Sequence, residues 1–286
     1  MKHRILALAL FILLLGGIFS ACSRAPVVYV PAPVLLGHVA ASTSVGIAFH
    51  SGNAQLRDQV WAALQVLAAN GTVAQAAYSW FGYNPSHIPP DPYATAHLGD
   101  VQGRTFIVGF DSGAAPKSFF NPSGELVGFD IDLARAVADY FGWQLELLPI
   151  KWANRAFELT SGNIDSLWGG VPLSEYTQTR FYYTPPYIEH HHVLITMSNS
   201  GVRNLRRLHN STVALLSGST TELALEKDTS FRDSLGTIAP REILYSALLA
   251  LEHGHVDAVL MDEFAALYYM RTGDAQAFGG RAYRLG

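Results

Sequence analysis

A single cysteine, Cys22, stands in 286 residues. One cysteine allows no internal disulfide framework and no cysteine-rich metal site. Charge is scarce too: Asp, Glu, Lys and Arg make up 15% of the chain, and the net charge is -4. No basic block or stripe occurs, which removes nucleic acid from the partners that composition would suggest. What the chain has in quantity is apolar material. At 49% apolar it can fill one large or two modest cores, and its 12% of aromatic residues fits a polar cleft walled by rings.

The N-terminus reads as an address. Lys2, His3 and Arg4 form a basic start, and the apolar run from Ile5 to Ile18 has the length of a signal segment. A membrane-spanning helix needs about 20 apolar residues, and this run is shorter. Phe19-Ser20-Ala21-Cys22 then resembles the bacterial lipoprotein signal, with Phe19 in place of the usual leucine. The resemblance implies a signal peptide over 1–21, lipidation of Cys22 and a cell-envelope, extracytoplasmic location, periplasmic or on the outer cell surface. An ordinary cleaved signal with a chance cysteine is the alternative. Pro26 to Pro33 reads as a Pro-stiffened spacer, so 22–44 is expected to be a tether.

The folded part is expected to alternate helices and strands. Leu56, Val60, Ala63, Leu64 and Leu67 recur at helical spacing over 53–69, and Asn70-Gly71 ends that helix. A short helix over 72–80 precedes a Pro- and Gly-rich connection over 83–104. Strands are then expected at 106–110, 144–149, 164–168, 212–216 and 256–261. Helices are expected at 130–141, 155–161, 221–227 and 243–253. This alternation predicts an α/β protein with mostly parallel sheets, and two such sets suggest two lobes.

Five segments, in order, carry a family likeness. They are Phe110-Asp111 with Pro116 and the run from Gly124 to Ala134; Leu159 to Asp165; Tyr183-Thr184-Pro185-Pro186-Tyr187; Leu216 to Thr220; and Leu260-Met261-Asp262-Glu263. Together they resemble the amino-acid-type (family 3) solute-binding proteins of ABC transporters over 105–286. Each segment alone is weak and the ordered set is specific. The resemblance implies a two-lobed type II periplasmic-binding-protein fold that closes on a small polar solute. It also implies a membrane permease or sensor as partner, and neither cofactor nor catalysis.

The family's usual closing segment is missing after Asp262, and a similar one stands at the front. Val45 to Phe49, then Leu56 to Leu64, then Gly71 to Ala74 and Trp80-Phe81-Gly82 resemble it. The expectation is a circular permutation, with 83–104 joining the old termini. Lobe 1 would cover 45–191 and lobe 2 would cover 192–286. A single covalent crossing would remain near 189–193. Under this reading the strand at 45–49 must share a sheet with the strand at 106–110.

The candidate ligand-binding residues are Asp111, Lys117, Phe119, Trp152, Gly170, Thr177, Arg180, Ser219, Thr220 and Asp262. Asp262 matches the position that in the family takes the ligand's ammonium group; as a plain helix N-cap it would be equally at home. Ser219 and Thr220 sit on a glycine turn before a helix, which suits a negative group or a simple cap. Asp111 is either a pocket wall or a turn residue. Thr177 stands where the family has its carboxylate-binding arginine, with Arg180 one turn later as either a substitute or a surface charge. Pro172 stands at the nearby serine or threonine. Ala114 and Lys117 match aromatic positions that cover the ligand, for which Phe119 or Phe120 would compensate. Trp152 and Trp168 are cleft walls or core. The ligand therefore need not be a standard amino acid.

His190, His191 and His192 fall at the crossing, with His190 and His192 on one face of an extended segment. A solvated polar hinge is the expectation, ahead of a metal or a pH-sensitive hinge. Two other functions stay open. One is an enzyme of the cyclohexadienyl dehydratase type, with Lys117, Glu189 and Asp262 as acid–base groups. The other is a ligandless envelope scaffold.

Overall fold

The computed structural model describes residues 33–99, 101, 103–173 and 181–272. Twelve strands and eight helices are named here in chain order. The strands are β1 (Pro33–His50), β2 (Thr105–Phe110), β3 (Gly113–Ala114), β4 (Ser118–Phe120), β5 (Leu126–Val127) and β6 (Gln144–Pro149), then β7 (Ser166–Pro172), β8 (Phe181–Tyr183), β9 (Ile188–Met197), β10 (Thr212–Leu216), β11 (Thr237–Arg241) and β12 (Ala258–Asp262). The helices are α1 (Ala54–Ala69), α2 (Thr72–Phe81), α3 (Phe129–Phe141), α4 (Arg155–Thr160), α5 (Thr220–Lys227), α6 (Thr229–Ser234), α7 (Leu244–Glu252) and α8 (Glu263–Thr272). The α/β alternation expected from the sequence is present.

A nine-stranded sheet runs β11-β10-β12-β9-β1-β7-β2-β6, with β8 also pairing β1. Its two flanks are parallel: β10 with β11 and β12, and β2 with β6 and β7. Between them β1 and β9 form a long antiparallel ribbon from Pro33↔Met197 to Val45↔Ile188. Its register shifts between Val39 and Thr43, halfway along. Toward one end the ribbon meets β12, and toward the other it meets β7 and β8. The ribbon thus divides the sheet into two halves and passes through both.

Two expectations change here. Residues 33–44 belong to β1 and not to a tether, because Val34, Leu35, His38 and Val39 find an antiparallel partner in β9. The halves are consequently joined by two strands and not by one crossing. The strands at 45–49 and 105–110 do lie in one sheet, separated only by β7.

Four apolar clusters fill the layers. In the first half, α1, α2 and α3 cover a core built on Phe49, Phe81, Phe106, Phe129, Trp168 and Tyr187, and a smaller cluster around Leu159, Ile164 and Leu167 sits beside it. In the second half, Ala247, Leu248, Leu251, Val259 and Met261 form one core, while Leu194, Val213, Leu215 and Leu260 form another. Phe264 of α8 inserts into the first half's core, 4.5 Å from the Phe81 ring. Short β3, β4 and β5 form a separate antiparallel meander, and it carries the turn from which Lys117 projects.

Candidate functional site

The meander places Lys117 between the halves. Pro116 and Lys117 offer backbone carbonyls to Phe129 and Asp130 at the start of α3, at 3.0 and 2.9 Å. Gly128, at φ 136°, lets the two backbones come that close; a Cβ there would collide with the Lys117 carbonyl. The Lys117 side chain is 5% exposed, and its Nζ donates to Asp262 Oδ2 at 3.3 Å. Asp262 ends β12 in the second half. Its other oxygen accepts from the Ala265 N–H at 2.8 Å. Asp262 thus caps the start of α8, as one of its two sequence readings has it, and pairs with the chain's own Lys117 across the halves. Burial by itself would raise the Asp262 carboxyl, but the Lys117 ammonium and its neighbours hold it below the usual carboxylate value.

A second carboxylate faces the same ammonium. Asp130 in the first turn of α3 is fully buried, and its Oδ1 accepts from the Tyr187 hydroxyl at 2.8 Å. Its Oδ2 has no hydrogen-bond partner among the described residues. Burial pushes this carboxyl up to about 6, against the opposing pull of Lys117 and the Tyr187 hydrogen bond. Burial and the Asp130 charge raise the Tyr187 hydroxyl well above its ordinary value, so it stays a donor.

The histidines come from the ribbon. Alternation along β9 turns His190 and His192 inward, at 1% and 0% exposure, and His191 outward. The expected solvated hinge is thus corrected: two of its three histidines are core residues. His190 Nε2 meets Thr220 Oγ1 at 3.2 Å. His192 bridges Thr221 Oγ1 at 3.1 Å and Thr43 Oγ1 at 2.8 Å. Burial, reinforced by Lys117, depresses His190 to about 3, and burial lowers His192 to about 4. Both rings are neutral at physiological pH. Exposed His191 stacks on His38 of β1, with centroids 4.8 Å apart. Among the described residues, no group of three or more His, Cys, Asp or Glu side chains could hold a metal ion. No described helix is long and apolar enough to cross a membrane.

The other sequence candidates divide. Thr220 joins the cluster through His190. Ser219 is committed to its helix, accepting from Glu222 N at 3.2 Å while donating to the Leu216 carbonyl at 2.6 Å. Gly170 lies beneath the lysine: a Cβ added there would stand 3.5 Å from Lys117 Nζ. Phe119 bridges the halves edge-on, at 5.7 Å from Trp80 and 5.2 Å from Tyr268. Asp111 is a turn residue whose Oδ1 accepts from Gly113 N at 2.9 Å. Trp152 packs against the smaller first-half cluster, with the Arg155 guanidinium 5.0 Å above its ring. Trp168 is fully buried core, with its indole N–H on Ser166 Oγ at 3.0 Å. Glu189 accepts from the Ser42 hydroxyl. Thr177, Arg180 and Cys22, with the signal segment, lie outside the described residues. Sequence reasoning gave Asp130 no role, although its place just after a glycine at a helix start was visible.

An ammonium, two carboxylates and two neutral imidazoles are gathered where two α/β halves meet, groups of the kind that bind small polar molecules. The class is confirmed by comparison: the chain belongs to the bacterial extracellular solute-binding proteins, family 3, whose profile matches residues 106–276. It is similar to the L-cystine-binding protein TcyJ of Escherichia coli K12, 28% identical over 190 residues, which span 65% of this chain and 70% of the relative. Among solved structures it resembles an ABC uptake transporter substrate-binding protein from Streptococcus pneumoniae with bound histidine. That likeness has a TM-score of 0.56 at 27% identity, covering 59% of this chain and 70% of the other. It also resembles the ancestral amino acid-binding protein AncCDT-1, a precursor of cyclohexadienyl dehydratase, with a TM-score of 0.54 at 25% identity over 59% and 74% of the two chains.

Proposed function

We propose that this protein captures an amino acid or amino-acid-like solute between the two halves of its sheet and hands it to a membrane permease or a sensor protein. The observation that carries the reading is the buried polar cluster, in which Lys117 of one half meets Asp262 of the other at 3.3 Å. The cystine-binding and histidine-bound relatives support the ligand class. In this reading the protein is a lipoprotein held to the envelope through Cys22. Its first lobe is built on 45–191, and its second on 192–272 together with the start of β1.

The order of the chain is part of the proposal. The family match opens at residue 106, yet α1 and α2 before it pack into the same core as β2 and α3. A circular permutation accounts for both facts. It predicts that 45–82 superpose on the C-terminal segment of unpermuted relatives in a crystal structure; any other placement overturns it.

The direct test is calorimetric and thermal-shift titration of purified protein with amino acids, hydroxy and keto acids, polyamines and sugars. A ligand at a hundred times its dissociation constant adds about 2.7 kcal/mol of stability. Saturable binding without turnover is the expected result. Turnover of a bound solute would replace this reading with the enzyme reading, and a folded protein that binds none of the panel would overturn it.

A further inference from the structure

The cleft contains its own cation. Lys117 reaches across from the first half and sets its Nζ 3.3 Å from Asp262 Oδ2 in the second. Gly170 lies directly beneath it, where an added Cβ would stand in van der Waals contact with that nitrogen at 3.5 Å. Asp130 lies fully buried with Oδ2 unpartnered, and His190 is 1% exposed with Nδ1 unpartnered. The ring of His190 abuts Phe264, with centroids 6.2 Å apart. Carboxylates as acceptors, imidazoles held neutral and ring walls are the ingredients of a receptor for one primary ammonium ion. Here the ammonium in that position is covalently part of the chain.

We propose that Lys117 is a tethered ammonium that fills the cation subsite of the cleft, so that within the class proposed above the protein selects the amino-acid-like solutes that lack a free ammonium group over amino acids themselves. Truncating the lysine then turns the same subsite into a receptor for small primary ammonium ions. This rests on the reading of the cleft as a solute site. The physical ground is competition. A tethered group acts at an effective concentration of about millimolar or more, so a free amine must displace it as well as bind. An Asp262 left without its partner would be a largely buried carboxylate, 18% exposed, with only the Ala265 N–H to compensate it, which is unfavourable. That penalty is what an added amine would relieve in the truncated protein.

The test uses wild type, Lys117→Ala, Lys117→Met and Lys117→Ala with Asp262→Asn. Each is titrated with n-propylammonium chloride, which replaces the atoms removed beyond Cβ, against tetramethylammonium and sodium chloride at equal ionic strength. Lys117→Ala is expected to melt about 10 °C lower, the consequence of stranding a buried charge. Propylammonium should restore several degrees saturably in Lys117→Ala and leave wild type and the double variant unmoved. In the solute panel, wild type should bind 2-hydroxy or 2-oxo acids in preference to the matching amino acids. Lys117→Ala should gain at least about tenfold toward amino acids.

An amino acid that binds wild type as well as it binds Lys117→Ala overturns this inference and leaves solute capture standing. Rescue by propylammonium, with no panel member bound by wild type, leaves Lys117 a structural ion-pair partner and overturns both this inference and solute capture. Should the truncated variants not fold, reductive methylation of wild type decides. Lys117 should react at least about tenfold more slowly than exposed Lys151 and Lys227, as a buried, paired amine must. Equal rates at the three lysines overturn the proposal.

Discussion

The two halves share a layer plan and differ in what fills it. The first half is packed with rings: Phe49, Phe81, Phe106, Phe129, Trp143, Trp168 and Tyr187 are all in its main core. The second half is aliphatic, with Ala, Leu, Val and Met around a single buried ring, Tyr269. Rings have few torsions and large contact areas, so the first half is a stiff frame that fixes Asp130, Tyr187 and the Lys117 turn. The second half supplies Asp262 on the end of a strand and lends one ring, Phe264, to its neighbour's core. The polar cluster is thus assembled by docking one kind of core against another, and the docking contacts should dominate its stability.

The sharpest way to break that contrast is Phe264→Ala. It empties a site in the ring-rich core from the aliphatic side and should cost about 3–5 kcal/mol in urea unfolding. If the halves are independent, the loss will instead be small and the transition will split. Gly128→Ala comes next, at roughly 3 kcal/mol, because its backbone is left-handed and its Cβ would meet the Lys117 carbonyl. Lys117 should then become reactive toward acylating reagents, which mass spectrometry would read.

The pH profile sharpens the comparison at the ribbon. His190 and His192 are held at about 3 and about 4 against an ordinary 6.5, so below 6.5 the unfolded chain takes up two protons that the folded chain refuses. Asp130 works the other way, at about 6 against 3.8, so the folded chain takes up one. Two minus one leaves one proton in favour of unfolding near pH 5. Stability should therefore fall by about 1.4 kcal/mol per unit as pH drops from 6.5 toward 4. In a variant with His190→Gln and His192→Gln the sign should reverse, leaving Asp130 to favour the folded state as pH falls from 6 toward 3.8. An unchanged slope would show that these histidines titrate freely in the folded protein. The smallest effect is expected for Arg271→Met. Arg271, itself exposed, donates from α8 to the carbonyl of buried Phe81. Its loss should cost about 1 kcal/mol by thermal melting.

Much of this arrangement was legible because periodic apolar spacing marks amphipathic helices well. The helices now named α1, α2, α3 and α7 fall within two residues of expectation. What escaped notice is structure that depends on a distant partner. The N-terminal half of β1 reads as spacer because it continues the Pro-rich run from Pro26 to Pro33, and only β9 makes it a strand. Edge strand β11 contains Pro240, which discourages a strand assignment although an edge tolerates it. Asp262, Lys117, Thr220 and Gly170 were all picked out, Lys117 and Asp262 together only as acid–base groups of the enzyme alternative. Their convergence was not, since Lys117 and Asp262 stand 145 residues apart. Nor was the burial of His190 and His192, which follows from strand alternation combined with a β12 neighbour on one side and β1 on the other.

The long ribbon has a consequence for how the protein keeps to itself. From Val45 strand β1 is flanked on both sides, but from Pro33 to Val39 it pairs, among the described residues, with β9 alone. That stretch is a sheet margin, with Val34 40% exposed, and margins of this kind recruit strands from other molecules. Three features oppose such recruitment. Pro33 lacks the amide hydrogen a newcomer would need, the pairing slips between Leu35 and Gly37, and Gly37 at φ 142° bends the line a new strand would have to follow. The segment that ties the halves together is also the one that guards the molecule against its own copies.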